Sequence, residues 1–201
     1  PPSNLLTKDH LLSLLTSSLS SRALPVDTSG LYFIFTDPSI PVEDFCLSSC
    51  GFHDFTPASP ATGNQKLPYA WVGNPSTQCP GVCAWPFAAP QFGPQGFVPL
   101  GPPNGDVGMD GMVINMATLL AGMATNPFHT GYFEGESGLP SEAVSVCTGI
   151  FGEGAYPGNP GSLLKQQDTG ASFNAQGVNG RHYLLPAIWS PSTNTCLPPN
   201  P

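Results

Sequence analysis

GDVGMDGMVINMATLLAGMATNP, residues 105–127, is the stretch around which the rest of the chain is organised. Between residues 110 and 124, Asn115 and Thr118 are the only polar side chains after the starting aspartate. A helix here is apolar on every face, which is typical of a buried helix. Pro127 ends it sharply, and about 15 residues are too few to span a bilayer, which needs about 20. The stretch therefore predicts the buried central helix of a soluble domain, at about 110–124.

The start and the glycines of this helix predict its surroundings. Asp106 or Asp110 suits the N-cap, where a carboxylate accepts hydrogen bonds from free amides and meets the positive end of the helix dipole. Gly111 and Gly122 each cost about 1 kcal/mol relative to alanine in a helix interior. Their presence predicts that another backbone packs closely against the helix.

The composition indicates one ordered, loop-rich domain over residues 1–201. The chain has 23 Gly and 25 Pro, spread among aromatic and aliphatic blocks and not arranged in repeats. Only 5 Lys and Arg stand against 13 Asp and Glu, and the basic residues are scattered. Nucleic-acid phosphates and anionic membrane surfaces both require clustered basic residues. We therefore expect neither a nucleic-acid partner nor a membrane partner.

Two further patterns predict the rest of the fold. A leucine stripe over residues 7–20 predicts a helix, with Thr7 as its cap. Residues 31–35 are apolar on both faces and predict a buried central strand, and residues 69–72 predict a second strand. Together with the central helix they indicate an α+β fold, in which a small mixed sheet packs on that helix and long loops complete the domain.

The six cysteines indicate disulfides that pin these loops. No companion ligands occur at zinc-finger spacing, so disulfides and a secreted, oxidising context are favoured over a metal site. Proximity favours three pairs: Cys46 with Cys50, Cys79 with Cys83, and Cys147 with Cys196. Six cysteines allow many other connectivities, so this pairing stays open at the level of sequence.

The histidines do not define a metal site. They are His10, His53, His129 and His182. None of them shares a helical i, i+4 spacing with a second ligand, so no metal ion and no other cofactor is expected. His53, beside Asp54 and close to a cysteine pair, is the most interesting of them, although a hydrogen bond within a loop is its commoner role.

Seven motifs occur in order along most of the chain. They are FC at 45–46, CGFH at 50–53, WVGNPSTQCPGVCAWPF at 71–87, DVGMDGM at 106–112, TNP at 125–127, GAYPG at 154–158 and GRHYLLPA at 180–187. This set closely resembles the plant Exordium, or phosphate-induced protein, family. The resemblance implies a secreted protein of the cell wall space, or apoplast, that is linked to growth control, brassinosteroid response and carbon status. It implies no defined enzymatic activity.

The resemblance also places this chain within a longer protein. Family members are usually longer at the N-terminus, so residues 1–201 are expected to form the C-terminal two-thirds of such a member. Ala88 stands where others often carry a histidine, which removes one candidate ligand.

A second resemblance concerns the central helix itself. It is similar to the zinc-binding helix of secreted zincin-type proteins, whose His-Glu-x-x-Glu (or His) signature leads to a Thr-Asp-Pro ending. Laying residues 125–127 on that ending places Thr118 at the first zinc ligand, Leu119 at the general base and Gly122 at the second ligand. Thr118 and Gly122 cannot act as zinc ligands, and Leu119 cannot act as a general base. The resemblance therefore implies a degenerate zincin scaffold, a pseudoenzyme, with Glu142 as a surviving acidic position. Coincidence between two buried helices that end in Thr-x-Pro is the alternative.

The functional hypothesis is a non-catalytic protein that binds a wall polysaccharide or an extracellular peptide or protein. Its expected cleft lies beside the helix and is bordered by His53, Asp54, Trp85, Asp106 and Glu142. One alternative is a metal-dependent hydrolase with an unusual site, for which His129 joins His53, Asp54 and Glu142. Another is an inert structural or storage protein of the wall. If the N-terminal part contributes strands, this chain exposes a sheet edge, so association with its own cleaved N-terminal segment or with a second copy is expected.

Overall fold

The computed structural model describes residues 5–90, 96–131, 133–134 and 141–199. Its helices are α1 (Lys8–Ser20), α2 (Pro80–Cys83), α3 (Val107–Thr125) and α4 (Ala143–Val146). Its strands are β1 (Tyr32–Thr36), β2 (Gly51–Phe55), β3 (Pro68–Gly73), β4 (Phe133–Glu134), β5 (Ser141–Glu142), β6 (Leu164–Lys165), β7 (Ser172–Phe173), β8 (Ala175–Gln176), β9 (His182–Tyr183), β10 (Ile188–Ser190) and β11 (Thr195–Leu197). Single 3-10 turns lie at Pro60–Thr62 and Val178–Gly180. The predicted loop-rich α+β fold is confirmed.

A mixed sheet of three strands, in the order β1-β3-β2, forms the base of the fold. β1 is parallel to β3 and β2 is antiparallel to it. All six residues of β3 are buried, so β3 is the central strand. The prediction that residues 31–35 form the central strand is wrong, because β1 lies at the edge. Two apolar faces indicate that other elements pack on both faces of the sheet at this strand. They do not indicate whether hydrogen-bonded strands flank it on both edges.

Helix α1 covers one face of the sheet, as its leucine stripe predicts. The Thr7 hydroxyl accepts a hydrogen bond from the His10 amide at 3.3 Å, and His10 Nδ1 accepts one from the Thr7 amide at 3.1 Å. Leu15 and Leu19 are buried against Tyr69 of β3. The hydrophobic stripe therefore sets which face of the helix meets the sheet.

Helix α3 packs against β2, β3, α2 and α4. The Asp106 carboxylate caps it, accepting a hydrogen bond from the Met109 amide at 2.9 Å, as the sequence predicts. The prediction of burial on every face over residues 110–124 is wrong, because Leu120 is exposed. The helix is also longer than the sequence indicates. Its 19 residues, with a mean hydropathy of 1.4, would be enough to cross a membrane by length and composition alone, a test that core helices also pass.

The glycines of α3 mark its closest contacts. A Cβ atom at Gly111 would lie 2.6 Å from the Cβ of Ala84 and 2.9 Å from its Cα, so here the backbone that follows α2 packs directly on the helix. A Cβ at Gly122 would instead lie 2.9 Å from His53 Nε2 and 3.1 Å from Glu142 Oε1. Close packing by another backbone is therefore confirmed at Gly111, whereas side chains approach Gly122.

The disulfides join distant segments. They are Cys46–Cys79, Cys50–Cys83 and Cys147–Cys196. The pairs predicted from proximity, Cys46 with Cys50 and Cys79 with Cys83, are therefore wrong, while Cys147–Cys196 is confirmed. Cys79 caps α2 and Cys83 is its last residue. One helical turn separates them, so both point from the same side of α2 towards residues 46–50. Two parallel bridges result.

Candidate functional site

His53 and Glu142 meet against helix α3. Side chains alternate along a strand, so Gly51 and His53 face α3 from β2. Leu119 Cδ1 lies 2.8 Å from a Cβ built at Gly51, and Gly122 leaves the space that the His53 ring occupies. His53 Nε2 lies 2.9 Å from each carboxylate oxygen of Glu142, which is on β5. The pair links β2 to β5 beside α3.

The imidazole of His53 is held in a defined orientation. Its side chain is 6% exposed, and Nε2 faces a carboxylate, which accepts but does not donate hydrogen bonds. Nε2 therefore carries the donated proton. Nδ1 is buried and has no hydrogen-bond partner among the described residues. The His129 ring stands edge-on to His53, with the two ring centroids 5.3 Å apart.

The three positions aligned with the zincin signature make contacts that suit packing. The Thr118 hydroxyl donates a hydrogen bond to the Ile114 carbonyl at 3.4 Å, Leu119 packs on Gly51, and Gly122 faces the His53–Glu142 pair. Nowhere in the described ranges do three or more His, Cys, Asp or Glu side chains converge in a way that could hold a metal ion. His53 fills the space towards which a longer side chain at position 122 would point.

The other residues predicted to border this cleft lie elsewhere. Asp54 follows His53 on β2 and so faces away from α3, where it accepts a hydrogen bond from the Phe55 amide at 2.7 Å. Burial first, and the Asp54 and Asp9 carboxylates second, raise the pKa of Tyr69 to about 12. Asp106 precedes Gly122 by sixteen residues, about 24 Å along the helix at 1.5 Å per residue. The structure therefore brings together only His53 and Glu142 of the predicted set, and Trp85 borders a different surface.

Asp110 is the buried carboxylate at the start of α3. It accepts hydrogen bonds from the Asn104 amide nitrogen at 2.9 Å and from Asn104 Nδ2 at 2.6 Å. Burial raises the pKa of Asp110 above its ordinary value, and the bonds from Asn104 oppose that shift. The pKa of Asp110 is therefore higher in the folded state than in the unfolded state. At pH values just above 3.8, its ordinary pKa, the carboxyl group takes up protons when the protein folds.

This shift predicts a pH dependence of stability. Asp110 destabilises the folded state increasingly as pH rises from 3.8 through its raised pKa, and Asp110→Asn has no such slope. The free energy of unfolding of Asp110→Asn minus that of the wild type is therefore expected to increase with pH across this window, in urea titrations from pH 3 to 7. Asp37, whose pKa is lowered by hydrogen bonds from Ser39, is the control, because Asp37→Asn should show a slope of opposite sign below pH 3.8.

A surface depression made of two adjoining cavities extends from the middle of α3 to Trp85. Its first part, of about 360 Å³, is lined by Leu47, Ser48, Ser49, Cys50, Gly51, Val82, Ile114, Asn115, Thr118, Leu119, Ser145, Thr148, Gly149, Phe151 and Pro186. Its second part, of about 760 Å³, is lined by Gly81, Val82, Trp85, Pro90, Val146, Thr148, Gly149, Ile150, Ala155, Tyr156, Pro157 and Gly158. The two parts share Val82, Thr148 and Gly149, and we call them together the α3–Trp85 groove. None of these described lining residues is charged.

Three polar side chains of the α3–Trp85 groove present acceptors to a ligand. The hydroxyl protons of Thr118 and Thr148 are donated to main-chain carbonyls, at 3.4 and 2.7 Å. The Asn115 side chain donates through Nδ2 to the carbonyls of Cys83 and Gly111. A hydroxyl or carboxamide that donates inward still has oxygen lone pairs free. The groove is therefore suited to a neutral ligand that donates hydrogen bonds.

Two aromatic side chains border the far end of the groove. The Trp85 ring packs against Phe97 and Phe151, at ring-centroid distances of 5.9 and 5.8 Å. Tyr156 is 61% exposed. Sequence reasoning singled out Trp85 but missed Tyr156, Val82 and Thr148. The GAYPG motif at 154–158 was the available signal for Tyr156, whereas nothing in the sequence indicates that residues 82 and 148 adjoin.

Comparison with known proteins gives a consistent set of relatives. The family model described as "Phosphate-induced protein 1 conserved region" matches residues 4–199. Protein EXORDIUM-like 2 of Arabidopsis thaliana is 51% identical over 179 residues, which cover 87% of this chain and 58% of that protein. Protein PHOSPHATE-INDUCED 1 of Nicotiana tabacum is 54% identical over 168 residues, covering 83% and 53%, and Protein EXORDIUM of Arabidopsis thaliana is 53% identical, covering 84% and 53%. This chain thus spans between half and three-fifths of each relative. No solved structure matches it.

Proposed function

This chain belongs to the phosphate-induced protein 1, or Exordium, family, and on that premise we propose that it is part of a secreted, non-catalytic protein of the plant cell wall that binds a neutral wall polysaccharide in the α3–Trp85 groove. The link to growth control and brassinosteroid response that the family resemblance implies is part of the same proposal. The observation that carries it is the chemistry of the groove, whose described lining residues combine hydrogen-bond acceptors and aromatic rings and include no charged side chain.

The groove matches the surface of a neutral sugar chain. Sugar hydroxyls donate hydrogen bonds, and Thr118, Thr148 and Asn115 offer oxygen acceptors to them. The C–H faces of sugar rings pack on the electron-rich faces of aromatic rings, and the exposed Tyr156 ring, beside Trp85, stands at one end of the groove. The absence of charge among the described lining residues disfavours an anionic polysaccharide. The net charge of −8 disfavours it further, through long-range repulsion.

Secretion is supported by the cysteines. The structure pairs all six of them in disulfides, which persist in oxidising compartments and are rare in the cytosol. A charge-poor, disulfide-bonded chain of this kind suits the extracellular wall space.

A binding role is favoured over hydrolysis by the side chains on α3. A zincin-type mechanism requires two ligands and a general base at positions 118, 119 and 122, and these positions hold threonine, leucine and glycine. His53 and Glu142 bond to each other, and their side chains are only 6% and 18% exposed, so the pair has little access to water. These groups serve packing.

We expect neutral oligosaccharides to bind in the groove and to raise the melting temperature of the protein, because a ligand that binds only the folded state stabilises it. The probes are cello-oligosaccharides and xylo-oligosaccharides. Removal of the exposed ring by Tyr156→Ala should weaken binding about two- to tenfold in calorimetric titrations, since an aromatic contact contributes roughly 0.5–1.5 kcal/mol. Phe133→Ala removes an exposed ring on β4, outside the groove, and is the matched control that should leave affinity unchanged.

Other results would select the alternatives. Binding of a proline-rich extracellular peptide that Tyr156→Ala abolishes would assign the groove to a peptide and overturn the polysaccharide. A stoichiometric transition metal, lost on chelation together with hydrolytic activity, would support the metal-dependent hydrolase. If no probe raises the melting temperature, the inert structural or storage protein becomes the better reading.

A further inference from the structure

Strand β1 has a free edge. Its hydrogen-bonded neighbour in the sheet is β3, and within the described ranges no other main-chain hydrogen bond reaches residues 32–36. A strand uses every second amide for one neighbour, so the remaining amides and carbonyls of β1 point outward and have no main-chain partner among the described residues. Unpaired edges of this kind are templates for a further strand.

The sequence of β1 carries none of the features that keep an edge unpaired. It reads YFIFT, without proline, lysine or any other charged residue, and every position favours a strand. On the face towards α3, the rings of Phe33 and Phe35 stack with their centroids 5.7 Å apart. Phe35 is 52% exposed. Phe33 and Phe35 therefore form an apolar surface on the sheet, next to the part that α3 covers.

The connection from α1 to β1 indicates where a further strand of the sheet would lie. Helix α1 packs on Tyr32, Ile34 and Tyr69 and then leads into β1, which is parallel to β3. A helix that leads into a strand of a parallel sheet is typically the second part of a strand-helix-strand unit, whose first strand lies parallel to and beside the second. Both sides of β3 are already occupied, by β1 and β2. The free side of β1 is the position that remains next to it.

The part of the family sequence that this chain does not span is a source for a strand beside β1. Complete relatives are longer than the region that this chain matches, which covers 58% of Protein EXORDIUM-like 2 and 53% of Protein EXORDIUM. We propose that the free edge of β1 receives, in parallel orientation, a strand from the portion of the family sequence that this chain does not span. The side chains of the added strand would pack beside Phe33 and Phe35. The three-stranded sheet would become one of at least four strands.

The test adds that portion to this chain. The part of EXORDIUM-like 2 outside the matched region is mixed with the 201-residue chain, and amide hydrogen exchange is followed by mass spectrometry. The outward amides of β1 are expected to exchange at least about tenfold more slowly in the mixture, because exchange from a paired strand requires opening. Phe35→Lys, which places a charge beside the edge, should weaken the complex at least about tenfold.

Matched variants separate this edge from a general loss of stability. Val178→Lys also replaces an exposed apolar residue, 81% exposed and in a 3-10 turn, and should leave the complex intact. Leu31→Lys, just before β1, is a second edge variant should Phe35→Lys fold poorly. Binding without protection of residues 32–36, or equal binding by Phe35→Lys and the wild type, would overturn the proposal. Protection of β1 by a second copy of the same chain, unaffected by the added segment, would overturn it as well. The test is independent of any sugar binding.

Discussion

Loss of the Cys50–Cys83 disulfide through the paired change Cys50→Ala and Cys83→Ala is expected to lower the free energy of unfolding by about 2.7 kcal/mol. The Cys46–Cys79 bridge stays in place in this variant and already joins the same two segments, so Cys50–Cys83 closes a loop of only about ten residues in the unfolded chain. In the chain-entropy model the stabilisation grows with the logarithm of this loop length. Removal also detaches residues 46–50, which form a wall of the α3–Trp85 groove, from the end of α2. Urea unfolding of the variant and the wild type measures the change.

The matched control is the second bridge. Cys46–Cys79 has the same sequence separation of 33, so Cys46→Ala with Cys79→Ala should destabilise the protein by a comparable amount. Peptide mapping of the unreduced protein should recover residues 46 and 79 in one disulfide-linked pair and residues 50 and 83 in another. Recovery of Cys46 linked to Cys50 would show that the connectivity is local.

Gly111→Ala is expected to destabilise the protein by about 1–3 kcal/mol, although alanine favours a helix over glycine by about 1 kcal/mol. The added methyl group would lie 2.6 Å from the Cβ of Ala84 and 2.9 Å from its Cα, and would also approach the Cys83 carbonyl at 3.1 Å. These are backbone atoms or atoms fixed to the backbone, and the Cys50–Cys83 disulfide anchors them. The segment that follows α2 therefore cannot move away at low cost. Thermal and urea unfolding of the variant measure the loss.

The sign of this change makes the experiment decisive. If α3 did not pack directly on the backbone after α2, the helix propensity of alanine would stabilise the variant. Gly131→Ala is the control, because the nearest atom to its new methyl group, the Thr125 carbonyl oxygen, lies 4.0 Å away. Its effect should stay within about 0.5 kcal/mol. A stable Gly111→Ala protein would contradict the packing of α2 against α3.

The candidate site shows how far side-chain chemistry can be read along the chain. Alignment of the TNP ending named Gly122 and Glu142, and the structure brings Glu142 to Gly122 through the contact with His53. The sequence also grouped His53 with Asp54 because they are adjacent. They lie on opposite faces of β2, since neighbouring side chains of a strand alternate. The strand itself was not predicted, because Gly51, His53 and Asp54 interrupt the apolar pattern that marks a buried strand.

The sequence by itself determined the helices α1 and α3 with their caps, the strands β1 and β3, the α+β class and the family. Each of these follows from local information, namely periodicity, capping residues, glycine and proline positions, and motifs. The tertiary structure decided the order of the strands, the connectivity of the first two disulfides and the exposed side of α3. It also decided that two cavities adjoin at Val82 and Thr148. These depend on which distant segments meet, and a chain with many possible long-range contacts does not record that choice in the spacing of its residues.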